Sequence, residues 1–211
     1  YQVEDFFKRY TLDKIKRKFG EFNFDKIENN IRIFHFEFQW RISKPLYELG
    51  ININDLRSQI IESSLQNREL QVFTPSADFL LAAMHHGGKD PLIELKQVYD
   101  IALILKKHSV LRWEWILNTA ENYKIENVIY VAARLAFEIT GVKIPNEILQ
   151  KTQSLKIKRM AENRLFYMAK TPQEWDKTVF KLNNWLFRIR SRTGIKIKLK
   201  LFYYITGLYS V

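Results

Sequence analysis

The sequence predicts an α+β protein in which a small antiparallel sheet is followed by a mainly α-helical domain. Residues 31–42 alternate between apolar and polar side chains, as expected for a strand with one buried face. From Thr74 onward, apolar residues recur at helical spacing between proline and glycine residues. We therefore predict two regions: a partial α/β region at residues 1–53, and a helical domain at residues 54–211 that ends in a basic tail.

The strand at residues 31–42 has two chemically different faces. One face is apolar and carries Phe34, Phe36, Phe38, Trp40 and Ile42. The other face is polar and carries His35, Glu37, Gln39 and Arg41. Residues 21–27 also alternate, so we predict that they pair with this strand as a hairpin whose apolar face packs onto helices. The polar face is either an ordinary solvated surface, or it points Glu37 into a cleft as a metal-binding or acid–base carboxylate.

Composition excludes several classes of protein. Hydrophobic residues make up 46% of the 211 residues and aromatic residues 14%, which is incompatible with a disordered chain. No apolar run approaches the roughly 18 residues of a membrane-spanning helix, and the absence of cysteine excludes disulfides and thiolate metal sites. The first residues lack a secretion signal, so we expect a cytoplasmic protein. A net charge of +11 favours polyanionic partners such as nucleotides, RNA or an anionic membrane surface.

Helical spacing and capping residues place the remaining elements. We predict one helix at residues 3–18 and a polar helix at residues 55–66. Further helices are predicted at residues 75–88, 91–107, 111–123, 125–140, 146–170 and 172–191. The tail at residues 195–204 alternates lysine with apolar residues and leaves three alternatives open: a basic edge strand, a terminal helix or a membrane-surface segment.

The end of the 75–88 helix and the helix that follows it carry the polar residues of most interest. His85 and His86 are adjacent, and adjacent helical residues point about 100° apart, so we do not expect them to share a zinc ion. Asp100 lies in an otherwise apolar run, where an unpaired carboxylate is costly. An antiparallel pair of helices brings His86 or Lys89 near it. We interpret Asp100 as a buried polar clamp between two helices, with a direct catalytic role as the alternative.

Several of these segments resemble one family when they are taken in order. Residues 36–42, Phe-Glu-Phe-Gln-Trp-Arg-Ile, resemble the VEVHWRL strand of an uncharacterised bacterial family in the polymerase-β-type nucleotidyltransferase superfamily. Residues 79–89 together with 94–105 resemble the helical hairpin of that family, and Trp113 matches the start of its next helix. The resemblance covers about residues 31–140.

The resemblance implies a metal-dependent enzyme that transfers a nucleoside monophosphate from a nucleoside triphosphate to an acceptor, with Mg²⁺ as the suspected cofactor. Glu37 falls at the position of a catalytic, metal-binding carboxylate, and we assign His86, Lys89 and Arg41 to substrate binding. The Gly-Ser and Asp-x-Asp residues that precede this strand in the family are not found before Glu37. We therefore expect either that those strands lie outside this sequence or that catalysis is lost.

A second function of a different class stays open from the sequence. The basic residues that follow position 142, with Arg188, Arg192 and Lys196 among them, are typical of a surface that binds nucleic acid. The alternative is therefore a non-catalytic basic module that binds RNA or another polyanion.

Overall fold

The computed structural model describes residues 21–29, 31–39, 51, 53–108, 110–171 and 174–205. The strands are β1 (Glu21–Glu28), β2 (Ile31–Gln39), β3 (Ile60–Leu65) and β4 (Arg68–Phe73). The helices are α1 (Pro75–Met84), α2 (Leu95–Lys107), α3 (Trp113–Asn122), α4 (Glu126–Thr140), α5 (Asn146–Thr152), α6 (Leu155–Met168), α7 (Lys177–Ser191) and α8 (Ile195–Ile205). The predicted α+β class is confirmed, while the division at residues 53 and 54 stays a prediction. The predicted helix at residues 3–18 lies outside the described residues.

β1 and β2 form the predicted antiparallel hairpin. The pairing runs from Glu21 opposite Gln39 to Glu28 opposite Ile31. The apolar face of β2 was expected to pack onto helices. Phe34, whose side chain is described, is instead 55% exposed. Among the described residues the two strands make a sheet by themselves, with no third strand to extend the surface that helices would cover.

The predicted helix at residues 55–66 is wrong. The chain instead forms a 3₁₀ helix at Ile53–Gln59 and then the antiparallel hairpin β3–β4. Gln66 and Asn67 make its two-residue turn, with φ angles of 50° and 62°. Two successive left-handed residues give the turn whose twist matches that of the paired strands. The six residues of β3 fit the spacing of a helix as well as that of a strand, and pairing with β4 decides in favour of the strand.

The 3₁₀ helix is attached to the start of α1. Thr74 donates its backbone N–H to the Gln59 carbonyl oxygen at 2.7 Å and its hydroxyl to Gln59 Oε1 at 3.0 Å. The Thr74 hydroxyl also accepts from the Ala77 N–H at 3.4 Å, and Pro75 occupies the first helical position. The predicted start of this helix is therefore confirmed, because both the cap and the proline act as expected.

α1 ends earlier than expected because its last turn widens. A π-helical turn, His85–Lys89, follows Met84 directly, and the Asp90 N–H closes it by donating to the His85 carbonyl oxygen at 3.2 Å. We call this segment the π turn. It lies against α4, where Gly87 is so close that a Cβ atom would be 2.5 Å from Val128 Cγ1. Such turns interrupt α-helices frequently at functional sites.

Replacing Gly87 with alanine is expected to lower the free energy of unfolding by about 1–3 kcal/mol, because the added methyl group overlaps the Val128 side chain and forces the π turn away from α4. Urea denaturation measures the change. Gly194→Ala is the matched control, since its Cβ would meet the flexible Lys124 side chain at 3.2 Å and Ile197 Cδ1 at an ordinary contact distance of 3.6 Å. Equal losses in both variants would contradict this account of the close packing.

Two other helix starts differ from the sequence prediction. α2 begins at Leu95 and not at Pro91, because Gln97 Oε1 accepts hydrogen bonds from the Ile93 and Glu94 N–H groups at 2.9 and 3.2 Å. This side chain satisfies backbone groups that a longer helix would use itself. α7 begins at Lys177 and not at residue 172, because Asp176 Oδ1 accepts from the second and third N–H groups that follow it.

The predicted helix at residues 146–170 is two helices. α5 ends at Thr152, and Ser154 caps α6 by accepting from the Ile157 N–H at 3.4 Å. α4, in contrast, ends as predicted at Gly141, whose φ of 68° lies in the left-handed region. The tail at residues 195–204 lies in a helix, α8. The alternative of a terminal helix is therefore confirmed, and the alternative of a basic edge strand is wrong.

The helices pack around α4. It contacts α1, α2, α3, α5, α6 and α7, and also the π turn. Its buried residues are Val128, Ile129, Val131, Ala132, Ala133, Leu135 and Ala136. Within the described residues, no helix combines the length and apolar character that crossing a membrane requires. The π turn therefore contacts α4 on one side, and its His85, His86 and Lys89 side chains are partly exposed to solvent.

Candidate functional site

A cavity of about 460 Å³ lies beside the π turn, between the start of α2 and α7. His86, Lys89, Asp100, Asn184 and Arg188 are among the residues that line it. The volume is within the range of small-molecule sites. The structure therefore brings together three residues selected from the sequence, His86, Lys89 and Asp100, and adds two from α7.

Asp100 contacts the π turn but is not buried. His86 Nε2 lies 3.4 Å from Asp100 Oδ2, so the expected proximity of these residues is observed. The Asp100 side chain is 40% exposed, which corrects the interpretation of a buried clamp. Its position on α2 turns it toward the cavity, while Val98 and Ile101 face the core. Because water reaches the carboxylate, the cost of its charge is small.

His86 is the more enclosed partner of this pair. Its side chain is 19% exposed, and among the described residues its Nδ1 atom is buried without a hydrogen-bond partner. Burial lowers the pKa of His86, the neighbouring His85 lowers it further, and the carboxylates of Asp100 and Asp90 oppose both effects. His86 is therefore neutral at pH 7 and presents one donor and one acceptor nitrogen.

His85 and His86 lie closer together than their adjacency on a helix predicts. The two rings meet edge to face with centroids 5.2 Å apart, and His85 Nε2 is 3.4 Å from Asp90 Oδ2. One ligand atom from each of His85, His86 and Asp90 lies within 4.8 Å of the other two. Asp90, whose backbone N–H closes the π turn, lies next to the His85 ring. The expectation that these histidines cannot face one ion is therefore wrong.

α7 supplies a basic wall of the cavity. Arg188 donates from Nη2 to the Lys89 carbonyl oxygen at 2.7 Å, and its guanidinium lies 5.2 Å from the centroid of the Trp185 ring. Sequence reasoning counted Arg188 among the basic residues of a polyanion-binding surface and missed this role. The two residues are 99 positions apart, and no local pattern marks a contact over that separation.

Arg164 supports the same wall from inside the protein. It is fully buried and donates from Nη1 to the Pro91 carbonyl oxygen at 3.3 Å and to Asn184 Oδ1 at 2.7 Å. It also lies 4.7 Å from the Phe187 ring centroid. Burial lowers the pKa of Arg164 to about 10, so the side chain is still charged at neutral pH. This one residue fixes the loop before α2 against α7, and both segments line the cavity.

The remaining predicted site residues lie on or near the β1–β2 hairpin. The backbone of Glu37 is in β2, paired with Asn23, and its side chain and all of Arg41 lie outside the described residues. The next pair on the same face is Asp25 with His35. Asp25 Oδ1 accepts from His35 Nδ1 at 2.6 Å and pairs with Arg32 Nε at 3.2 Å. The hydrogen bond from His35 is the main reason why the pKa of Asp25 is lowered.

The predicted basic surface of the C-terminal region is only partly a surface. Arg192 is fully buried, and Arg188 is half-buried against the π turn. Lys196 is exposed on α8, and Lys198 and Lys200 are half-buried there. Part of the positive charge that the sequence assigned to a polyanion surface is therefore enclosed in the fold.

The chain matches a model of a protein family. A family model described as an uncharacterised nucleotidyltransferase matches residues 10–141, which is more than half of the chain. The matched segment contains the β1–β2 hairpin, the π turn and α2, whereas α7 lies beyond it. No curated protein and no solved structure matched the chain.

Proposed function

Because this chain belongs to the family of uncharacterised nucleotidyltransferases, we propose that it transfers a nucleoside monophosphate from a nucleoside triphosphate to an acceptor, with Mg²⁺ as its cofactor. The observation that carries the proposal is that one family segment includes both the strand with Glu37 and the residues of the π turn and α2 that line the cavity. Fold membership alone does not define chemistry, so the roles below rest on the residues themselves.

The cavity suits a phosphate-bearing substrate. Lys89, Lys96 and Arg188 supply positive charge, and His86 and Asn184 supply hydrogen-bonding groups around about 460 Å³. Charged donors of this kind form the stronger hydrogen bonds to phosphate oxygens. Glu94 and Asp100, on the other side, can accept hydrogen bonds from the hydroxyl groups of a nucleoside or an acceptor. In this proposal His86 and Lys89 bind the substrate, and Arg41 assists them.

The β1–β2 hairpin carries oxygen-containing side chains of the kind that bind a hard divalent cation. In the backbone register Glu37 pairs with Asn23, and the next pair is His35 with Asp25, so the sequence supplies carboxylate and amide oxygens at these positions. Mg²⁺ prefers carboxylate and carbonyl oxygens. In our proposal Glu37 binds the ion. The ion would neutralise the negative charge that develops on the transferred phosphoryl group.

Replacing Lys89 with alanine tests the substrate role. We expect the dissociation constant of a nucleoside triphosphate measured with Mg²⁺ to rise about tenfold, which corresponds to loss of one charged contact to phosphate. Isothermal titration with each of the four common triphosphates measures binding. Lys107→Ala is the control, because Lys107 is an exposed lysine at the far end of α2. Failure of the unmodified protein to bind any triphosphate, or equal losses in both variants, would refute the proposal.

The alternative of a non-catalytic polyanion-binding module is favoured by the exposed basic residues Arg190 and Lys196 near the chain end. Its expected result differs from that of the enzyme. RNA binding by such a module weakens steeply as the salt concentration rises and does not depend on Mg²⁺. Because Arg192 is fully buried and Arg188 contacts Lys89, the structure gives this alternative fewer available charges than the sequence does.

A further inference from the structure

His85 and Asp90 are already spaced as two ligands of one metal ion. In a tetrahedral site, nitrogen and oxygen ligands lie about 2.0–2.1 Å from the ion, so two ligand atoms lie roughly 3.3 Å from each other. The distance between His85 Nε2 and Asp90 Oδ2 is 3.4 Å. The two side chains are 28% and 35% exposed, so an ion can reach them from solvent without opening the core.

His86 supplies a third ligand atom and has one nitrogen available for it. A ligand atom of His86 lies within 4.8 Å of those of His85 and Asp90, so the three side chains lie close enough to reach one ion. Of its two nitrogens, Nε2 faces Asp100 Oδ2 at 3.4 Å, whereas Nδ1 is buried and has no hydrogen-bond partner among the described residues. A buried polar atom without a partner is costly, and an ion at Nδ1 would satisfy it.

Asp100 then takes the position of a supporting residue. Histidines that bind metals usually donate their other ring N–H to a carboxylate, which fixes the ring and increases its strength as a ligand. The contact between His86 and Asp100 has this arrangement, with the carboxylate on α2 and the imidazole on the π turn. The pair thus orients the third ligand before an ion arrives.

We propose that His85, His86 and Asp90 bind a divalent transition-metal ion of the Zn²⁺ type, and that Asp100 positions His86 for it. Two imidazole nitrogens select such an ion over Mg²⁺, which prefers oxygen ligands. Three protein ligands leave a fourth tetrahedral position for water or for an oxygen atom of a bound molecule. Because His86 and Asp90 also line the cavity, that position adjoins it. The proposed ligands do not include Glu37, and the site does not depend on nucleotidyl transfer. When the ion is bound, both ring nitrogens of His86 are engaged, so Lys89 remains the direct contact to the substrate.

Titration of the untagged, full chain with Co²⁺ tests the site directly. We expect visible absorption bands that saturate at one equivalent and are displaced by Zn²⁺. His85→Ala and the isosteric Asp90→Asn are expected to abolish the bands, and Asp100→Asn is expected to weaken Co²⁺ binding about 10- to 100-fold while keeping the stoichiometry. Zn²⁺ should raise the Tm of the unmodified protein and leave the Tm of Asp90→Asn unchanged, with circular dichroism showing that the variants are folded.

His35→Ala is the matched control, because it removes an imidazole that contacts a carboxylate, Asp25, at 2.6 Å, yet belongs to no three-ligand cluster of the described residues. It should bind Co²⁺ as the unmodified protein does. The proposal is overturned if Co²⁺ does not saturate at one equivalent, if Asp90→Asn and His85→Ala bind normally, or if His35→Ala loses as much. Since the readout is metal binding, a negative result leaves the proposed nucleotidyl transfer to its own test.

Discussion

Arg164→Ala is expected to lower the free energy of unfolding by about 3 kcal/mol. The side chain is fully buried and donates hydrogen bonds to the Pro91 carbonyl oxygen, to Asn184 and to Asn163. Alanine removes these bonds, leaves Asn184 Oδ1 without its donor and opens a cavity beside Phe187. Each lost charged hydrogen bond costs roughly 1.5–3 kcal/mol, and the cavity adds to this loss.

Relief of charge burial opposes that loss but does not cancel it. Burial lowers the pKa of Arg164 to about 10, which corresponds to roughly 3 kcal/mol against the charged form. Removal of the charge recovers this amount, whereas the lost bonds and the cavity together cost more. Arg164→Met should therefore be less damaging than Arg164→Ala, because methionine fills the space and carries no charge.

Chemical denaturation of both variants measures the difference, with Arg159→Ala as the control. Arg159 is exposed on the same helix, α6, and its loss should change stability by less than about 0.5 kcal/mol. If Arg164→Ala were as stable as the Arg159 variant, the buried guanidinium would not be the support of the cavity wall that its contacts indicate.

Glu37→Gln is expected to reduce Mg²⁺-dependent nucleotidyl transfer by about 10²- to 10³-fold. The amide keeps the size of the side chain but removes the negative charge, and an ion that contributes several kcal/mol to the transition state is then poorly held. The register of β2 depends on backbone pairing with β1, so the fold should not change. Incorporation of nucleotide labelled at the α-phosphate, measured against Mg²⁺ concentration, gives the rate.

Glu28→Gln is the matched control for this experiment. Glu28 lies on the other strand of the same hairpin, is exposed and pairs with Lys26 at 2.7 Å, so its loss should leave the rate unchanged. An unchanged rate in Glu37→Gln would remove Glu37 from the mechanism. Restoration of the Glu37→Gln rate by a higher Mg²⁺ concentration would support a role in holding the ion.

The sequence predicted an element correctly where a single pattern of apolar residues, or a single helix-capping residue, was present. The alternation of residues 31–42 and 21–27 predicted the β1–β2 hairpin, since aromatic residues separated by two positions have few other arrangements. Thr74 with Pro75 fixed the start of α1, and Gly141 fixed the end of α4. The order of residues 36–42, 79–89 and 94–105 was also sufficient to identify the family.

Where two local signals competed, the sequence chose wrongly. Residues 60–65 fit a helical stripe as well as a strand, and only the partner strand β4 distinguishes the two. Pro91 signals a helix start, yet the side chain of Gln97 caps the chain one turn later. In each case a contact with another residue outweighed an intrinsic preference that is worth less than one hydrogen bond.

The sequence by itself determined the fold class, the first hairpin, most of the helices and the family. It also indicated that His86 and Lys89 lie near Asp100, because short connections make consecutive helices neighbours. Only the tertiary structure decided that Asp100 is exposed to the cavity, that His85, His86 and Asp90 converge, and that Asn184 and Arg188 complete the wall. Those facts depend on a widened helical turn and on contacts between residues about 100 positions apart, and neither follows from the periodicity of a single segment.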